Sequence, residues 1–401
     1  MTNVILHCDM DNYFASVECI DKPHLKNLPV AVCGDPAMRH GIVLAKNDIA
    51  KKYGIVTGES SYAAKGKCLE LVILPPDYRK YLKYAKLARE IYSRYSSKIY
   101  PYGMDEAWID LTDKCDDFED GIRIANEIRQ RIKDELSLTA SVGISFNYIF
   151  SKLASDIKKP DATSIVPFDN FKSIVWNMPA FDMLFVGSVT RKVLRSMGIL
   201  TIGDLANYDP HLLVKKLGKK GWMLWEFANG NDSSFDPRTN DEDDIKSLGN
   251  SITPPKDITS EKDAAAFLYV LSSTVAKRLK KHSFKSSCVS IVIRRSDFTI
   301  ITRQKSFTHP IDEADVIFEY AYELFIKNHT WEKSVRSIGV RADKLLRREN
   351  EQLSLLDYFD NPPKIKNNIS ELISKIKEEY GSFDLEQSAS SRDTEISIME
   401  C

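Results

Sequence analysis

The sequence lacks long apolar runs, paired cysteine motifs and a strong net charge. No stretch approaches the run of about 18 apolar residues that a membrane-spanning helix needs. The seven cysteines are scattered, without CxxC pairs or neighbouring histidine clusters, which argues against a disulfide framework and against a zinc site. The chain starts with an apolar stretch that runs directly into acids, unlike a signal peptide. We therefore expect a cytoplasmic protein with no membrane partner.

The formal net charge of −1 gives no overall sign of nucleic-acid binding, but the charges are segregated along the chain. Between Lys277 and Lys305 there are nine lysines and arginines and a single acid, Asp297, whereas 241–244 is purely acidic. A solvated helical face is the ordinary explanation of a basic run. This run also continues through a strand-like alternation, so a solvated face and a nucleic-acid surface both remain open.

A length of 401 residues predicts roughly two to four compact units. Up to about residue 165, helical spacing alternates with short apolar strands, which indicates a mixed α/β unit. Strands are predicted at Val4–Cys8, Ala107–Leu111 and Ala140–Ser145, and helices at Tyr81–Ile99 and 121–136.

Residues 166–235 show short helical patterns separated by glycine turns, which predicts a small helical unit. Asn, Asp, Ser and Pro are concentrated in 231–246, so a linker is expected there. A second α+β unit follows the linker. Its predicted elements are a helix at 261–282, strands at Cys288–Arg294 and Thr299–Phe307, a helix at 312–327 and a strand at Val335–Ala342.

Three acids stand at strand edges in the α/β unit: Asp9 ends the first strand, and Asp105 and Glu106 precede another. Two hard divalent cations that carry out phosphoryl transfer need carboxylates that converge from separate strands. Acids at strand ends are also common turn formers, and for either pair taken alone that alternative stays open.

Longer motifs surround these acids. Leu6–Glu18, LHCDMDNYFASVE, closely resembles the first motif of the Y-family DNA polymerases, and Tyr102–Asp110 resembles the second. Ser141–Ser145, followed by Lys152–Asp156 and Lys158–Pro160, is similar to the third palm motif. The resemblance covers roughly residues 3–345 and points to the bacterial DNA polymerase IV type, in the versions found in low-GC Gram-positive bacteria.

This resemblance implies a multidomain α+β protein built as a right-hand polymerase, with an α/β palm, small fingers, a helical thumb and an α+β little finger. The implied boundaries are 1–10 and 79–165 for the palm, 11–78 for the fingers, 166–235 for the thumb, 236–246 for a linker, 247–345 for the little finger and 346–401 for a tail. It also implies that Asp9, Asp105 and Glu106 are catalytic and bind two Mg²⁺ ions, with the Met10 carbonyl as a further ligand.

Four residues are implied to contact the incoming deoxynucleoside triphosphate: Tyr13, Phe14, Lys51 and Lys159. Phe14 would be the steric gate, whose ring fills the space that a ribose 2′-hydroxyl needs; the alternative is an apolar core residue. The sequence departs from the family at Asp48 and Lys51, where most members carry Tyr and Arg that touch phosphates. A carboxylate would repel a triphosphate unless it were turned away, and Lys51 has no bidentate fork, so the nucleotide affinity stays open. Lys51 is a phosphate ligand or a solvated helix lysine.

Primer–template DNA is the expected partner of the thumb and little finger. Glycine turns at 186–189 and 217–221 resemble helix-hairpin-helix turns, whose backbone N–H groups bind phosphates; a plain helix–helix turn is the alternative for the first. The basic residues of the little finger would lie along the duplex without reading its sequence. The predicted DNA contacts are Gly187, Lys219, Lys220, Arg294, Arg295, Arg303, Lys305 and Arg341.

The segment 352–356 in the tail, QLSLL, resembles the peptide by which bacterial polymerases dock on the sliding clamp. An apolar cluster in a polar tail either packs on its own protein or binds a pocket on a partner, and both alternatives stay open. The predicted clamp contacts are Gln352, Leu353, Leu355 and Leu356.

The implied function is that of a monomeric, template-directed, low-fidelity DNA polymerase that extends primers past damaged or difficult template positions without proofreading. The about 65 residues between Asp11 and Tyr78 are too few for a large closing domain, which predicts little induced-fit selection. A nucleotidyl cyclase on a similar palm would share the acids but would not need a thumb, a basic domain or a clamp peptide. A catalytically inactive DNA-binding or clamp-recruiting protein is the second alternative, kept open by Asp48.

Overall fold

The structure is a computed structural model that describes residues 3–37, 39, 41–237 and 245–347. These residues fall into two compact units. The first comprises 3–34 and 42–237, and the second is built chiefly from 245–347. In the described part of the chain, the helices are too short or too polar to cross a bilayer.

A five-stranded sheet forms the centre of the first unit. Its strands lie in the order β5 (Ile99–Pro101), β6 (Glu106–Asp110), β1 (Ile5–Met10), β7 (Ala140–Ser145) and β8 (Thr163–Val166). The central strand β1 pairs antiparallel with β6 and with β7. Every residue of β1 is buried, His7 and Asp9 included, so the strand is covered on both faces.

Four helices accompany this sheet: α1 (Tyr13–Ile20), α4 (Tyr78–Tyr92), α5 (Phe118–Leu136) and α6 (Tyr148–Ser155). The helix predicted at Tyr81–Ile99 begins at Tyr78 and ends at Tyr92. The chain turns after Tyr92, and the Ser96 hydroxyl donates to the carbonyl of Asp110 at 2.7 Å, which leads the chain into β5.

Helix α6 packs directly on β7 and β1. The contact requires Gly143 in β7, because a Cβ at this position would overlap the backbone of Ser151 and Ser155. The absence of a side chain at Gly143 therefore fixes how closely α6 approaches the centre of the sheet.

A smaller sheet within the predicted fingers has the order β3 (Val43–Lys46), β2 (Val30–Cys33), β4 (Val72–Leu74). Two short helices, α2 (Asp48–Lys52) and α3 (Ser61–Lys67), complete this part. Each begins at a side-chain cap: Asn47 accepts from the Ala50 N–H and Ser60 from the Ala63 N–H.

The segment 166–235 is helical, as predicted. It contains α7 (Phe171–Val175), α8 (Ser188–Ser196), α9 (Ile202–Ala206), α10 (Pro210–Leu217) and α11 (Lys219–Ala228). Gly218 lies between the last two helices with φ of 63°, a positive value that favours glycine; it ends α10, and α11 starts at the next residue.

The second unit is a four-stranded antiparallel sheet with two helices packed on one face. The strand order is β11 (Ile300–Ile311), β10 (Phe284–Arg295), β12 (Val335–Arg347), β9 (Ser247–Ile252), and the helices are α12 (Glu261–Lys281) and α13 (Ala314–Asn328). Strands β10 and β12 extend beyond their predicted ends, and β11 begins at Ile300 and continues to Ile311. The added residues mix apolar and polar side chains, so the alternation that predicts a strand weakens there.

Candidate active site

The sheet of the first unit brings the three predicted catalytic acids to one place. Asp9 on β1 is directly paired with Glu106 on β6. The Met10 N–H donates to the carbonyl of Asp105 at 3.0 Å, which holds the residue before β6 against the end of β1. Three carboxylates and the Met10 backbone are thus contributed by two adjacent strands.

The carboxylates repel one another in a buried setting. Burial, followed by the charges of Glu106 and Asp9, raises the pKa of Asp105 to about 7. Burial also raises the pKa of Asp9 to about 6, with Lys159 opposing the shift and Glu106 adding to it. A bound cation would relieve this repulsion, and oxygen donors are those that hard divalent ions prefer. The donor set therefore fits a divalent metal.

Two lysines contact these acids in the structure. The Lys159 ammonium lies 2.8 Å from Asp9 and 2.8 Å from Asp156, and the Lys152 ammonium contacts Glu106. Within the described ranges, no three acidic, histidine or cysteine side chains surround a common point as a closed metal site does. Asp9 and Glu106 instead each have a lysine as counter-charge.

His7 lies beneath this cluster and was missed by the sequence argument. It is fully buried on β1; its Nε2 is 3.2 Å from Glu106 and its Nδ1 is 3.0 Å from the Ser155 hydroxyl. Burial lowers the pKa of His7 to about 4, so the ring is neutral at physiological pH. Burial acts to raise the pKa of Glu106, but His7 and Lys152 outweigh it and lower that pKa to about 2. Since His7 and Asp9 are two residues apart on one strand, their shared face was an available signal.

Phe14 and Tyr13 have different environments at the start of α1. The Phe14 ring is half-buried and stacks on Tyr81, with centroids 4.1 Å apart. Tyr13 is 3% exposed, and its hydroxyl donates to the Tyr81 carbonyl at 2.5 Å. The Tyr13 side chain is therefore committed to the core, and only its backbone remains for the nucleotide contact predicted from the sequence.

Asp48 is turned towards Lys51 and Asn12. The Lys51 ammonium lies 2.9 Å from Asp48, and both side chains are nearly half exposed. The Asn12 amide donates to the other Asp48 oxygen at 2.9 Å. Asn12 has φ of 53° at the start of α1, directly after the first acidic motif. Asp48 thus links α2 to the start of α1 and balances the charge of the predicted phosphate ligand.

The two glycine turns of the helical segment present helix N-termini. Gly187 is the exposed residue before α8, and Lys219 opens α11. The Lys220 ammonium lies 3.1 Å from the Thr190 hydroxyl, so the two N-termini are neighbours. Adjacent N–H groups and two lysines make this edge suited to phosphates.

The basic residues predicted for the little finger divide between two faces of its sheet. Arg303 is paired with the core residue Ile291, and its Nε donates to Asn328 of α13 at 3.0 Å. Lys305, two residues further on, lies 2.6 Å from Glu323 of the same helix. Both side chains therefore lie on the side of the sheet that carries the helices.

Arg341 lies on the opposite face. It is paired with Ser290, while its neighbour Val340 points into the core. Arg294 is exposed, and its guanidinium lies 4.8 Å from the Phe298 ring centroid. The structure thus separates the predicted contacts into two groups: Arg294 and Arg341 opposite the helices, and Arg295, Arg303 and Lys305 on the helical side.

The predicted clamp contacts Gln352, Leu353, Leu355 and Leu356 lie outside the described residues.

Sequence and structure comparisons identify the family. Residues 8–156 match the impB/mucB/samB family and 245–355 match that family's C-terminal domain. The chain is 43% identical to DNA polymerase IV of Acetivibrio thermocellus over 385 residues, which is 96% of each chain. DNA polymerase IV 1 of Bacillus subtilis is 34% identical over 383 residues, 95% of this chain and 91% of that protein.

A solved Y-family DNA polymerase chimera has the same fold, with a TM-score of 0.75 and 23% identity over 86% of this chain and 99% of that one. The mixed α+β fold is that of a right-hand polymerase with palm, fingers, thumb and little finger. The chain belongs to the Y family of DNA polymerases, within its bacterial DNA polymerase IV group. The predictions of family and fold are confirmed.

Proposed function

We propose that this DNA-directed DNA polymerase joins a primer 3′-hydroxyl to deoxynucleotides at a site formed by Asp9, Asp105 and Glu106, on damaged or difficult templates. The supporting observation is the direct pairing of Asp9 with Glu106, beside the contact of Met10 with Asp105. Members of this family depend on divalent metal ions. Two Mg²⁺ ions held by these acids and the Met10 carbonyl would activate the hydroxyl and neutralise the triphosphate.

The protein's own groups supply orientation and charge. Lys159 carries a positive charge to the edge of the acid cluster; burial alone would lower its pKa, but Asp9 and Asp156 raise it, so it stays protonated. We assign Lys159 to the triphosphate and Lys51 to the same group from the fingers. Phe14 is the proposed steric gate, since its ring is held by a stack and is still partly exposed.

Duplex DNA is proposed to contact the N-termini at Gly187, Lys219 and Lys220, and Arg294 and Arg341 of the second unit. Arg295, Arg303 and Lys305 are weaker candidates, because they lie on the helical side of their sheet. The sliding clamp is proposed to bind 352–356, and a cytoplasmic, monomeric enzyme is proposed from the bacterial relatives. Loss of clamp binding in a Leu355→Ala/Leu356→Ala variant would support the clamp contact. An elution volume that corresponds to a single chain would support the monomeric state.

The deciding experiment is primer extension on a primed template with Mg²⁺. Asp105→Ala is expected to abolish extension, whereas Asp113→Asn is the matched control, an exposed acid on the same segment paired with Lys98. Extension unaffected by Asp105→Ala would refute the metal assignment. Triphosphate turnover without a primed template would indicate a cyclase-like activity, and no extension by the intact protein would leave DNA binding or clamp recruitment as its role.

A further inference from the structure

Asp11 is an acid of the first motif, two residues after Asp9, that the proposed chemistry does not use. The residue is 5% exposed, and both of its carboxylate oxygens accept hydrogen bonds. The Ser141 hydroxyl donates to one oxygen at 2.7 Å, and the backbone N–H of Asp161 donates to the other at 2.8 Å. A buried carboxylate with both oxygens bonded to neutral donors is an anchor rather than a free ligand.

The anchored residue belongs to the loop that carries Lys159. Asp161 lies two residues after Lys159 and has φ of 50°, in the left-handed region. Its carboxylate is held from the other side by Arg129 at 2.8 Å and by Lys133 at 3.2 Å. The loop is thus fixed at Asp161 through the backbone by Asp11 and through the side chain by Arg129.

We propose that Asp11 is a positioning residue that fixes the loop 159–161, and thereby sets the Lys159 ammonium where the incoming triphosphate binds. The inference rests on the role of Lys159 proposed above. Without the Asp11 anchor, the Asp161 N–H loses its buried acceptor and the loop acquires alternative conformations. Lys159 would then have to be ordered during nucleotide binding, so the effect falls on nucleotide affinity.

Asparagine separates this role from metal ligation. In Asp11→Asn, the amide oxygen can accept from the Asp161 N–H, and the amide nitrogen can donate to the Ser141 hydroxyl, which accepts as well as donates. Alanine provides neither bond. A metal ligand behaves differently, because replacing its carboxylate by an amide removes the charge that the cation needs.

The test compares dNTP kinetics on a primed template for the wild type, Asp11→Asn, Asp11→Ala, Lys159→Ala and Asp9→Asn, with thermal melting to verify folding. Asp11→Ala is expected to raise the KM for dNTP about tenfold with a smaller change in kcat, as loss of a charge-assisted hydrogen bond implies. Asp11→Asn is expected to stay within about threefold of the wild-type KM. Asp9→Asn is expected to lose kcat.

Amide hydrogen exchange gives a readout independent of catalysis. Exchange at 159–162 should accelerate in Asp11→Ala and stay slow in Asp11→Asn. If Asp11→Ala does not fold, Ser141→Ala takes its place: it removes one of the two hydrogen bonds that orient the Asp11 carboxylate and should raise both the KM and the exchange rate.

Three results have distinct meanings. An Asp11→Asn variant as inactive as Asp9→Asn would overturn the positioning role in favour of a metal ligand. A raised KM in Lys159→Ala together with an unchanged KM in Asp11→Ala, or in Ser141→Ala where that replaces it, would overturn the Asp11 inference alone. An unchanged KM in Lys159→Ala would refute the proposed role of Lys159 and, with it, the inference.

Discussion

The ring of Phe14 lies parallel to that of Tyr81, with centroids 4.1 Å apart and planes inclined by 9°. Tyr81 is fully buried; its hydroxyl donates to Glu18 at 2.8 Å and accepts from the Asp77 N–H at 3.1 Å. The proposed sugar gate therefore rests on a ring that cannot move without breaking buried hydrogen bonds.

Tyr81→Leu should weaken discrimination against ribonucleotides by roughly tenfold, because Phe14 loses the flat surface that orients it. The measurement is the ratio of kcat/KM for dNTP to that for rNTP. Tyr81→Phe is the matched control: it keeps the stack and removes the hydroxyl, so it should cost about 1–2 kcal/mol of stability with an unchanged sugar ratio. Equal ratios in Tyr81→Leu and the wild type would contradict the positioning of Phe14 by Tyr81.

Asp48→Asn should lower the KM for dNTP by about twofold to threefold, the scale of an exposed salt bridge, because Lys51 no longer has a competing carboxylate. The asparagine oxygen can still accept from Asn12, so the link between α2 and the start of α1 is kept. The gain should disappear in the Lys51→Met background. A gain of the same size without Lys51 would mean that Asp48 acts directly on the triphosphate.

Asp105→Asn should stabilise the protein when divalent metals are chelated, and more so at pH 8 than at pH 5. The folded-state pKa of Asp105 is raised from 3.8 to about 7, so protonation favours the folded state and this contribution is lost as the pH rises through 7. The neutral amide avoids that loss. The free energy of unfolding of Asp105→Asn should therefore exceed that of the wild type by roughly 2–4 kcal/mol at pH 8. Urea melts across this pH range measure it; a constant difference would contradict the raised pKa.

Arg341→Ala should weaken binding of a primed duplex and reduce the slope of log affinity against log salt by about one, as expected for one phosphate contact. Arg303→Ala is the control with the same charge change, since Arg303 contacts α13 on the helical side. Fluorescence anisotropy at several salt concentrations would compare them. Equal slopes for the two variants would show that the two faces of the sheet are not distinguished by DNA.

The sequence predicted elements best where apolar residues mark the buried part of a helix or strand. Helix α5 was expected at 121–136 and runs from Phe118, because the Asp117 side chain accepts from the Asp120 N–H and starts it one turn earlier. Strand β7 was predicted with its observed ends, since all six of its residues are buried. The predictions of α5 and β7 are confirmed. In each element the apolar residues that led to the prediction are those that the fold buries.

Contacts between segments far apart in the chain could not be predicted from the local spacing of residues. Lys152 was recognised within a motif, but its contact with Glu106 depends on how α6 packs on the sheet. The opposite orientations of Arg303 and Arg341 depend on strand register and on which face α13 covers. Each of these is decided by tertiary packing that no local spacing encodes.

Gly143, which is paired with His7 on β1, makes the active site of the polymerase sensitive to a residue that has no side chain. Any side chain at this position would push α6 away from β7, and α6 carries Lys152 and leads into the loop of Lys159. A random screen for inactive enzymes should therefore recover substitutions at Gly143 as often as at the charged residues themselves. The positions of Lys152 and Lys159 therefore depend on the absence of a Cβ at Gly143.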